Sequence, residues 1–430
     1  MGNNHSTPFS LGQIIKRIEC IDISNLGYGV FKHQGITIFA QNALVGEEVD
    51  LKIYDIKKKF LLATITKYYN KSESRLENVP KNNLNANRYI NYAYQTQVEI
   101  KEKQMSKLFN QDVKLIQAYN LYNYRNKSEF FYANNKLNML DEFNNYKAIK
   151  SCILSNDKIN QVLPYIEEAL NNNQKAKISS VIIRYSKYQD ALMLIFVSDR
   201  INKYQTKIAQ EIVGANDKVK SVILNYGPSK NYLFNNDEIV IYGDDYIMDS
   251  MFNKEFKITS KSFYQINEEQ TKKLYQTIID FGEFKDNDNI ADLYCGVGTI
   301  GIILSDYVKS VVGVEVVADA VRAAKDNIEL NDISNYQVFE HDLDQDLSIL
   351  EGINTVVVDP PRNGLSKLLI ENIAKSQVKN VIYVSCNPYT QKRDLDIFTQ
   401  LGFKLDKVSA VDMFINTHHV ECVVLMSRNI

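Results

Sequence analysis

Asp292-Leu-Tyr-Cys-Gly-Val-Gly-Thr-Ile-Gly301 is the stretch of sequence that decides the fold. Its glycines, Gly296, Gly298 and Gly301, fit the pattern G-x-G-x-x-G, in which glycine allows a sharp turn and a close approach of a ligand to the backbone. An apolar strand is predicted directly before it, at Asn289–Leu293, and a helix from Thr299 directly after it. Strand, glycine turn and helix in this order are typical of a nucleotide-binding α/β sheet.

The chain on both sides of this stretch continues the alternation of strands and helices from about residue 240 onward. Such alternation predicts a parallel, doubly wound, Rossmann-like sheet with crossover helices. The predicted helices include Glu268–Phe281, Ala318–Asn331, Lys367–Lys375 and Gln391–Leu401, and the predicted strands include Ser310–Val314, Thr355–Val358, Asn380–Val384, Lys404–Ala410 and Val420–Ser427.

Two acidic residues follow the next strands of the predicted sheet. Glu315 ends the second strand, 19 residues after Gly296, where a carboxylate can accept both hydroxyls of a ribose. Asp342 follows the third strand, where it can reach an adenine amino group or act as an ordinary helix cap. The pattern predicts a nucleoside cofactor, and both a dinucleotide and S-adenosylmethionine remain possible at this point.

A rigid turn follows the fourth strand, in the sequence Asp359-Pro360-Pro361-Arg362. Two prolines fix the backbone just beyond the carboxyl end of a strand, which is where doubly wound sheets bind their ligands. The turn therefore presents the Asp359 carboxylate to the crevice. Methyltransferases that act on bases or amino groups use a loop of this general form, and a nicotinamide enzyme has no need of it.

The candidate nucleophile is Cys386, which lies beyond the end of the next strand in Ser385-Cys386-Asn387-Pro388. This position puts the thiol at the rim of the sheet, where it can act in catalysis. The chain has five cysteines and no C-x-x-C pair, so reduced thiols are expected in place of a disulfide framework. The other four are expected to be buried packing residues: Cys20, Cys152, Cys295 and Cys422.

The candidate general base is Glu421, in His418-His419-Val420-Glu421-Cys422 near the chain end. A carboxyl group among apolar neighbours has the raised pKa that a base at neutral pH needs, and the alternative is an edge-strand carboxylate facing water. Adjacent strand residues point to opposite faces, so His418 and His419 are not expected to bind one metal ion. No metal site is predicted.

The charge of the chain is divided unevenly. Residues 1–150 carry 21 basic and 14 acidic side chains, a net charge of +7, while residues 151–430 have a net charge of −9 and the whole chain −2. Five short strands punctuated by glycine predict a small barrel over residues 11–70, with Lys57, Lys58 and Lys59 at a hairpin tip. A basic barrel favours contact with nucleic acid.

Three domains are expected from the length and pattern of the chain. The predicted boundaries are a small β-barrel at 8–70, a mixed α/β domain at 71–238 and the α/β cofactor domain at 239–430. No run of about 18 apolar residues is found, and the N-terminus lacks the apolar segment of a secretory signal, so a cytoplasmic protein without a membrane segment is expected.

Taken together and in this order, the quoted motifs closely resemble those of the RNA 5-methyluridine methyltransferase family. Ser262-Phe263-Tyr264-Gln265-Ile266-Asn267 matches the cofactor-side motif of this family, Tyr124-Arg125-Asn126-Lys127 resembles its central-domain RNA element, and residues 11–70 resemble a TRAM domain, which is an RNA-binding barrel. The resemblance covers nearly the whole chain. It implies transfer of a methyl group from S-adenosylmethionine to C5 of uridine in RNA.

The resemblance also implies the roles of individual residues. Cys386 matches the nucleophile that adds to C6 of the uracil, and Glu421 matches the base that removes the C5 proton. The target base is expected to leave its stack to reach Cys386. The expected cofactor residues are Gln265, Tyr294, Gly296, Gly298, Glu315, Asp342 and Asp359, and the expected RNA contacts are Phe263, Arg125, Lys127, Arg362 and Asn387.

One family feature is missing from this sequence. Many members bind a [4Fe–4S] cluster through four cysteines, three of which precede the element that is here Tyr94–Gln97. Residues 77–87 contain no cysteine, Leu84 and Asn87 stand where two ligands are expected, and only Cys152 matches a ligand position. One thiolate cannot hold a cluster that four normally bind, so no cluster is predicted.

Rival functions explain less of the sequence. A dehydrogenase would use the glycine loop but not Asp359–Arg362, Cys386 or Glu421, and an inactive RNA-binding protein need not keep Cys386 and Glu421. Cytosine-5 methyltransferases usually carry a Pro-Cys nucleophile, whereas Ser385 precedes Cys386 here. Because the tRNA-specific bacterial branch of the family commonly lacks such a barrel, the resemblance favours 23S rRNA over the T-loop of tRNA as the substrate. A monomer is expected.

Overall fold

The computed structural model describes residues 8–77, 79, 84, 87–141, 143–228, 237–345 and 348–428. The chain forms two compact units, one of Met1–Asp112 with Phe414–His419 and one of Val113–Met413 with Val420–Ile430. In the part of the chain described, no helix is both long and apolar enough to cross a membrane. The boundaries expected after residues 70 and 238 stay predictions.

The first unit contains a six-stranded sheet within its described residues. Its spatial order is β1-β5-β6-β4-β3-β2, and all neighbours are antiparallel except β4 and β6. The strands are β1 (Ile14–Glu19), β2 (Asp22–Ile23), β3 (Gly29–His33), β4 (Ile36–Ala40), β5 (Glu48–Ile56) and β6 (Phe60–Tyr68).

This sheet closes on itself because its two outer strands are consecutive in the chain. Only Cys20 and Ile21 separate β1 from β2, and the chain changes partner there: the Cys20 amide donates to Glu47 O and the Ile21 amide to Val30 O. The sequence predicted one strand from Gln13 to Ile23 and five strands in all. The change of partner divides that strand in two, but the predicted barrel is otherwise observed.

The interior of the barrel is apolar, and one buried ion pair closes an end of it. Phe31, Ile38 and Leu51 are fully buried in this core. Arg75 donates to both carboxylate oxygens of Glu47, at 2.7 and 2.6 Å, and both side chains are almost completely buried. A bidentate pair of this kind is favourable only when its remaining groups are hydrogen-bonded, and Glu47 also accepts the amides of Leu44 and Ser72.

The first unit also contains helix α1 (Tyr94–Phe109) and a segment from near the end of the chain, Phe414–His419. The Gln97 side chain joins them, since its Nε2 donates to Asn416 Oδ1 at 2.9 Å and its Oε1 accepts the Asn416 amide at 3.0 Å. The amide of Tyr89 donates to the Asn416 carbonyl at 2.9 Å. This segment therefore folds with α1 although 304 residues lie between Phe109 and Phe414 in sequence.

The second unit begins with a short strand and a central seven-stranded sheet, whose order within the described residues is β10-β9-β8-β11-β12-β13-β14. The elements are β7 (Leu115–Ile116), β8 (Lys127–Ala133), β9 (Lys136–Leu140), β10 (Tyr146–Ala148), α2 (Asp157–Asn172), β11 (Ile178–Ser186), β12 (Ala191–Ser198), α3 (Lys203–Ala215), β13 (Val219–Tyr226) and β14 (Asp237–Gly243).

Burial explains the composition of the central sheet. Every residue of β12 is buried, as is nearly every residue of β11, which matches their continuous apolar runs. Helices α2 and α3 pack against the sheet and each other with Ile159, Ile166 and Ile208 facing inward. The mixed α/β character predicted for this region is observed.

A β-hairpin and a helix connect the central sheet to a second sheet in the same unit. The hairpin consists of β15 (Tyr246–Met251) and β16 (Lys254–Thr259), and helix α4 (Glu268–Gly282) follows. The Asn267 side chain caps α4 by accepting the Gln270 amide. The helix predicted from Glu268 to Phe281 is thus confirmed within one residue.

The second sheet has eight strands in the described residues, in the order β19-β18-β17-β20-β21-β23-β22-β7. We call it the catalytic sheet. Its further elements are β17 (Asn289–Leu293), α5 (Thr299–Leu304), β18 (Ser310–Glu315), α6 (Ala318–Leu330), β19 (Tyr336–Glu340), β20 (Thr355–Val358), α7 (Lys367–Lys375), β21 (Asn380–Ser385), α8 (Pro388–Gln400), β22 (Lys404–Val411) and β23 (Glu421–Ser427).

Strand direction in the catalytic sheet places all its parallel carboxyl ends at one rim. Strands β17 to β21 are mutually parallel, whereas β23 is antiparallel to β21, so the first residue of β23 lies at the same rim. The doubly wound fold that the sequence predicted is confirmed.

Candidate active site

The glycine-rich turn lies between β17 and α5 and adopts backbone conformations that favour glycine. Gly296 has φ +55° and Gly298 has φ +81°. A Cβ added to Gly296 would have no heavy atom within 4 Å, so open space lies beside this backbone. A Cβ on Gly301 would lie 2.4 Å from the Tyr336 ring, so this glycine allows α5 to pack closely on β19. Gly296 is therefore the position at which a ligand can approach.

Two carboxylates hold this turn. Asp292, at the end of β17, accepts the Gly301 amide at 2.9 Å and the Tyr336 hydroxyl at 3.2 Å. Glu315, at the end of β18, accepts the Gly296 amide at 3.1 Å and the amides of the two residues that follow it. Burial, opposed by these hydrogen bonds, raises the pKa of Asp292 to about 7.

The candidate nucleophile and base occupy neighbouring strands at the rim. Strands β21 and β23 pair with Ser385 opposite Cys422, so Cys386 and Glu421 come at the next position of the same register. Glu421 is 2% exposed and lies on an interior strand, between β21 and β22. The alternative of an edge-strand carboxylate facing water is therefore wrong. Cys386 is half-buried, whereas the other four cysteines are buried.

Burial and neighbouring carboxylates raise the pKa of both groups. Burial, with Glu421 and Asp359 nearby, raises the pKa of the Cys386 thiol to about 11, and the Arg362 guanidinium that is hydrogen-bonded to it opposes this shift. Burial and the charge of Asp359 raise the pKa of Glu421 well above its ordinary value, again opposed by Arg362. Burial raises the pKa of Asp359 itself to about 7, with a contribution from Asp292.

Arg362 reaches these groups because helix α8 holds the loop that carries it. The Arg362 carbonyl accepts hydrogen bonds from the Asn387 and Thr390 side chains, both at 3.0 Å. The Arg393 guanidinium donates to the Asn363 carbonyl at 2.9 Å, and the Asp394 carboxylate accepts the Leu365 amide at 2.8 Å. One helix, which begins two residues after Cys386, thus fixes the Asp-Pro-Pro-Arg loop.

The structure places three further expected cofactor residues, Tyr294, Asp342 and Gln265, in different settings. Tyr294 lies in the turn itself with φ +61°, and burial raises the pKa of its hydroxyl to about 12. Asp342 is exposed and accepts the Asp344 amide at 3.0 Å, a local turn contact that leaves both of its expected roles open. Gln265 is 7% exposed, and its carbonyl accepts the Asn126 side chain.

The residues expected to contact RNA are distributed unevenly. Phe263 is 69% exposed, which is unusual for a phenylalanine, and Arg362 is exposed at the rim. Asn387 uses its side chain to hold the Arg362 loop. Arg125 and Lys127 are half-buried at the start of β8, and burial with the nearby charge of Arg184 lowers the pKa of Lys127 to about 7.

S-adenosylmethionine fits the turn by the chemistry of these residues. Gly296 leaves open space for a ligand beside a backbone turn, and Glu315 presents a carboxylate at the end of the neighbouring strand, as the binding of a ribose requires. The rim also gathers the carboxyl groups of Asp292 and Asp359, which suit a cationic sulfonium.

Several residues that hold the site through backbone atoms were not predicted from the sequence. Asp292 was quoted only as the start of the motif, although a charged residue inside an apolar strand is a recognisable signal. Arg393 and Asp394 of α8, which support the Arg362 loop, give no such signal, since charged residues on a helix are ordinary. Asn126 was quoted within a motif, but its contacts with Gln265 and Ile266 were not foreseen.

The remaining cysteines are buried, as expected for Cys20, Cys152, Cys295 and Cys422. Among the described residues, no group of three or more His, Cys, Asp or Glu side chains is arranged to hold a metal ion. Leu84 and Asn87 are buried in the first unit, while residues 78, 80–83 and 85–86 of the segment that lacks cysteines lie outside the described residues. The absence of an iron–sulfur cluster stays a prediction.

Comparison with known proteins adds a family and a fold. A family model described as tRNA (uracil-5-)-methyltransferase matches residues 93–429. An uncharacterised RNA methyltransferase of Bacillus cereus is 34% identical over 437 residues, which cover 95% of both chains. Another, of Streptococcus mutans, is 30% identical over 452 residues and covers 96% of this chain and 98% of its own.

A solved structure shares the fold over nearly the whole chain. It is the tRNA (uracil-54, C5)-methyltransferase of Pyrococcus abyssi in complex with S-adenosyl-L-homocysteine. The TM-score is 0.80, the sequence identity is 22%, and the match covers 95% of this chain and 99% of the other. At this identity the likeness concerns the fold alone.

Proposed function

Because this chain belongs to the tRNA (uracil-5-)-methyltransferase family and is an RNA uracil-5-methyltransferase that uses S-adenosylmethionine, we propose that it modifies a loop uridine of 23S rRNA through a covalent Cys386 intermediate. The observation that carries the mechanism is the pairing of β21 and β23, which makes Cys386 and Glu421 neighbours at one rim. The cofactor turn between β17 and α5 opens at the same rim.

Covalent addition is needed because C5 of uracil is a poor nucleophile. The Cys386 thiolate adds to C6, a C–S bond forms, and the ring electrons move to give an enolate in which C5 is nucleophilic. S-adenosylmethionine, when bound, supplies the electrophilic methyl group. Glu421 then removes the proton from C5, the C5–C6 double bond forms again, and the sulfur of Cys386 leaves as a thiolate.

Arg362 has the right place to support the first step. Its guanidinium, hydrogen-bonded to Cys386, opposes the rise in thiol pKa that burial, Glu421 and Asp359 cause, and the net pKa is about 11. A thiolate is the nucleophilic form of cysteine, so this contact increases the reactive fraction. Asp359 and Gln265, with Tyr294, Glu315 and the glycines, are assigned to the cofactor, and Phe263, with Arg125 and Lys127, to the RNA.

The rRNA part of the proposal rests on the first unit. Its barrel lies in the basic front part of the chain, whose net charge over residues 1–150 is +7. Lys58 and Lys59 at the β5–β6 hairpin tip are exposed. A basic surface binds phosphates and makes affinity depend on salt. The alternative substrate is the T-loop of tRNA, since the relative from Pyrococcus abyssi acts on tRNA.

Mapping of 5-methyluridine tests the substrate. Total rRNA and tRNA from a strain that lacks the gene are compared with RNA from the same strain complemented with wild-type protein or with the Cys386→Ala variant. We expect the modification to disappear from a 23S rRNA loop and to return only with the wild-type protein. If only tRNA loses the modification, the T-loop is the substrate and the rRNA proposal is wrong.

A trapping experiment tests the covalent intermediate. In the Glu421→Gln variant the C5 proton cannot be removed, so the methylated adduct between Cys386 and RNA should accumulate. It should survive a denaturing gel after incubation with S-adenosylmethionine and substrate RNA. The double variant with Cys386→Ala is the control and should give no adduct. Failure of the single variant to give an adduct would mean that Glu421 is not the base.

A further inference from the structure

Residues Ser260–Asn267, which we call the cofactor segment, are held mainly by hydrogen bonds to the central sheet and less by the catalytic sheet. It runs from the end of β16 to the start of α4 and carries Gln265, the residue assigned to the cofactor. Two of the residues that bind this segment, Asn126 and Arg184, lie just before β8 and on β11, which are neighbouring strands of the central sheet. Glu238 of β14 also accepts the Ser260 hydroxyl, and outside the central sheet the Met413 carbonyl accepts the Asn267 side chain.

Asn126 binds the segment on both its backbone and its side chain. Its amide donates to the Ile266 carbonyl at 2.9 Å, and its side-chain Nδ2 donates to the Gln265 carbonyl at 3.0 Å. Its own carbonyl accepts the Tyr185 amide of β11 at 2.8 Å. Asn126 thus links β11 of the central sheet to the backbone carbonyls of Gln265 and Ile266.

A buried arginine fixes the beginning of the same segment. Arg184 of β11 is 4% exposed and donates to the carbonyls of Ser260, at 3.2 Å, and Ser262. A buried guanidinium is costly unless it is hydrogen-bonded, so these two carbonyls are held firmly. The segment is therefore anchored on the central sheet at both of its ends.

We propose that Asn126 is a positioning residue for S-adenosylmethionine, which acts through the backbone of Gln265 and Ile266. Gln265 is 7% exposed, so its side chain is confined by its neighbours. A small movement of its backbone would therefore move the side chain away from the position that binds the cofactor. The central sheet, whose Arg125 and Lys127 are assigned to RNA by resemblance, thereby sets the affinity of the cofactor site. This inference rests on the proposed role of Gln265 in cofactor binding.

The Asn126→Asp variant tests the proposal because it keeps the size of the side chain and the backbone hydrogen bond. It replaces the Nδ2 donor with an oxygen that repels the Gln265 carbonyl. The dissociation constant of S-adenosylmethionine, measured by calorimetry without RNA, should rise roughly 3- to 10-fold. The KM for S-adenosylmethionine should rise by a similar factor, while kcat at saturating cofactor stays within about twofold.

Asn138→Asp is the matched control. Asn138 is 4% exposed on β9 of the same sheet, and its Nδ2 donates to the carbonyls of Phe131, Ala133 and Lys136. This variant loses the same kind of bond at the hairpin end of β8, away from the cofactor segment. It should lower the melting temperature without changing the affinity for S-adenosylmethionine. Equal losses of affinity in both variants would overturn the proposal, since general destabilisation would explain them.

The Gln265→Leu variant separates this inference from the proposed function. If Gln265→Leu weakens cofactor binding and Asn126→Asp does not, Asn126 is not a positioning residue, while the role of Gln265 stands. If Asn126→Asp weakens only the binding of RNA, the inference is likewise wrong. If Gln265→Leu leaves the cofactor affinity unchanged, both the assigned role of Gln265 and the inference fail.

Discussion

The two ends of the catalytic sheet differ in how deeply their polar groups are buried, since the amino-end groups are half-buried and Asp292 and Glu421 near the carboxyl end are buried. At the amino end, neutral amides form short hydrogen bonds: Asn289 accepts the Ser310 hydroxyl at 2.7 Å, and Asn354 donates to Asp288 at 2.6 Å. At the carboxyl end, Asp292 and its neighbours at the rim have pKa values raised by burial. The same sheet therefore has one end built for stability and one built for chemistry.

This difference has a physical cause. A neutral amide can satisfy its hydrogen bonds in an apolar interior at little cost, whereas a carboxylate loses the hydration of its charge. Raised pKa values at Asp292, Asp359 and Glu421 report this loss. Proteins retain such costly groups where they are used, so the carboxyl end of the sheet is the place to look for function.

The largest expected difference is in methylation rate, between a variant at the carboxyl end of the catalytic sheet and a variant at its amino end. The Cys386→Ala variant should lose at least about 10³-fold in methylation rate because the covalent route is closed. The Ser310→Ala variant loses one hydrogen bond to Asn289 at the opposite end and should keep its rate within about twofold. Single-turnover assays with radiolabelled S-adenosylmethionine measure both. Normal turnover by Cys386→Ala would show that another group is the nucleophile.

Two glycines beside β20 provide the second contrast. Gly364 at the carboxyl end and Gly352 at the amino end have φ +77° and +76°, so alanine at either position should cost about 1 kcal/mol of unfolding free energy. Only at Gly364 does the added Cβ meet a neighbour, Asp394 Oδ2 at 2.4 Å. Gly364→Ala should displace the Arg362 loop and lower kcat roughly 10- to 100-fold.

Urea unfolding and steady-state kinetics of the two glycine variants measure these effects. The free energy of unfolding should fall in both, and kcat should fall only in Gly364→Ala. If Gly352→Ala lowers kcat equally, the activity depends on the stability of the whole sheet and the contrast between its ends is wrong.

The pH dependence of the rate gives a third and smaller effect. Burial raises the pKa of Cys386 to about 11 and that of Glu421 above its usual range, and both must lose a proton to act. The single-turnover rate should therefore increase between pH 6.5 and 9, by up to about tenfold per pH unit. Arg362→Gln should shift the profile toward higher pH. A rate independent of pH across this range would contradict the raised pKa values.

Asp292 gives the smallest effect, on stability. Its pKa is about 7 in the folded protein, so its contribution to the free energy of unfolding is complete below its unfolded pKa of about 4 and is lost as the pH rises through about 7. Asp292→Asn removes this titration while it can still accept the Gly301 amide. At pH 8 the variant should be more stable than wild type by about 1 kcal/mol, measured by urea unfolding.

The comparison of pH 4 with pH 8 is the control for this variant. At pH 4 and below, the wild-type carboxyl is largely protonated in the folded protein and begins to be protonated in the unfolded chain, so the two proteins should have similar stability. A difference that is the same at both pH values would mean that the hydrogen bond to Tyr336, and not the charge, determines the effect.

The site residues that follow the carboxyl ends of parallel strands could be predicted from the sequence. Parallel strands put their carboxyl ends at one rim, so Glu315, Asp359 and Cys386 were expected together from the order of strands alone. The rim position of Glu421 was not fixed by that rule, because it depends on β23 running antiparallel to β21. The resemblance to a family supplied its role before the geometry was known.

Other parts could not be predicted because they join residues far apart in sequence. Arg393 and Asp394 bind a loop about 30 residues before them through backbone atoms, which leave no pattern in the sequence. Asn126 reaches Gln265 across 139 residues in the same way. The split between β1 and β2 was also missed, since a change of strand partner does not alter the alternation of apolar residues.

The sequence by itself determined the fold class, the chemistry of the rim residues and the family, because strand periodicity and motif order are local properties of the chain. Only the tertiary structure decided which groups are buried together and what supports them. The raised pKa values of Cys386, Asp359 and Glu421 and the anchoring of Gln265 by Asn126 depend on packing between distant segments. Burial and hydrogen bonding are set by that packing, so no local pattern could give them.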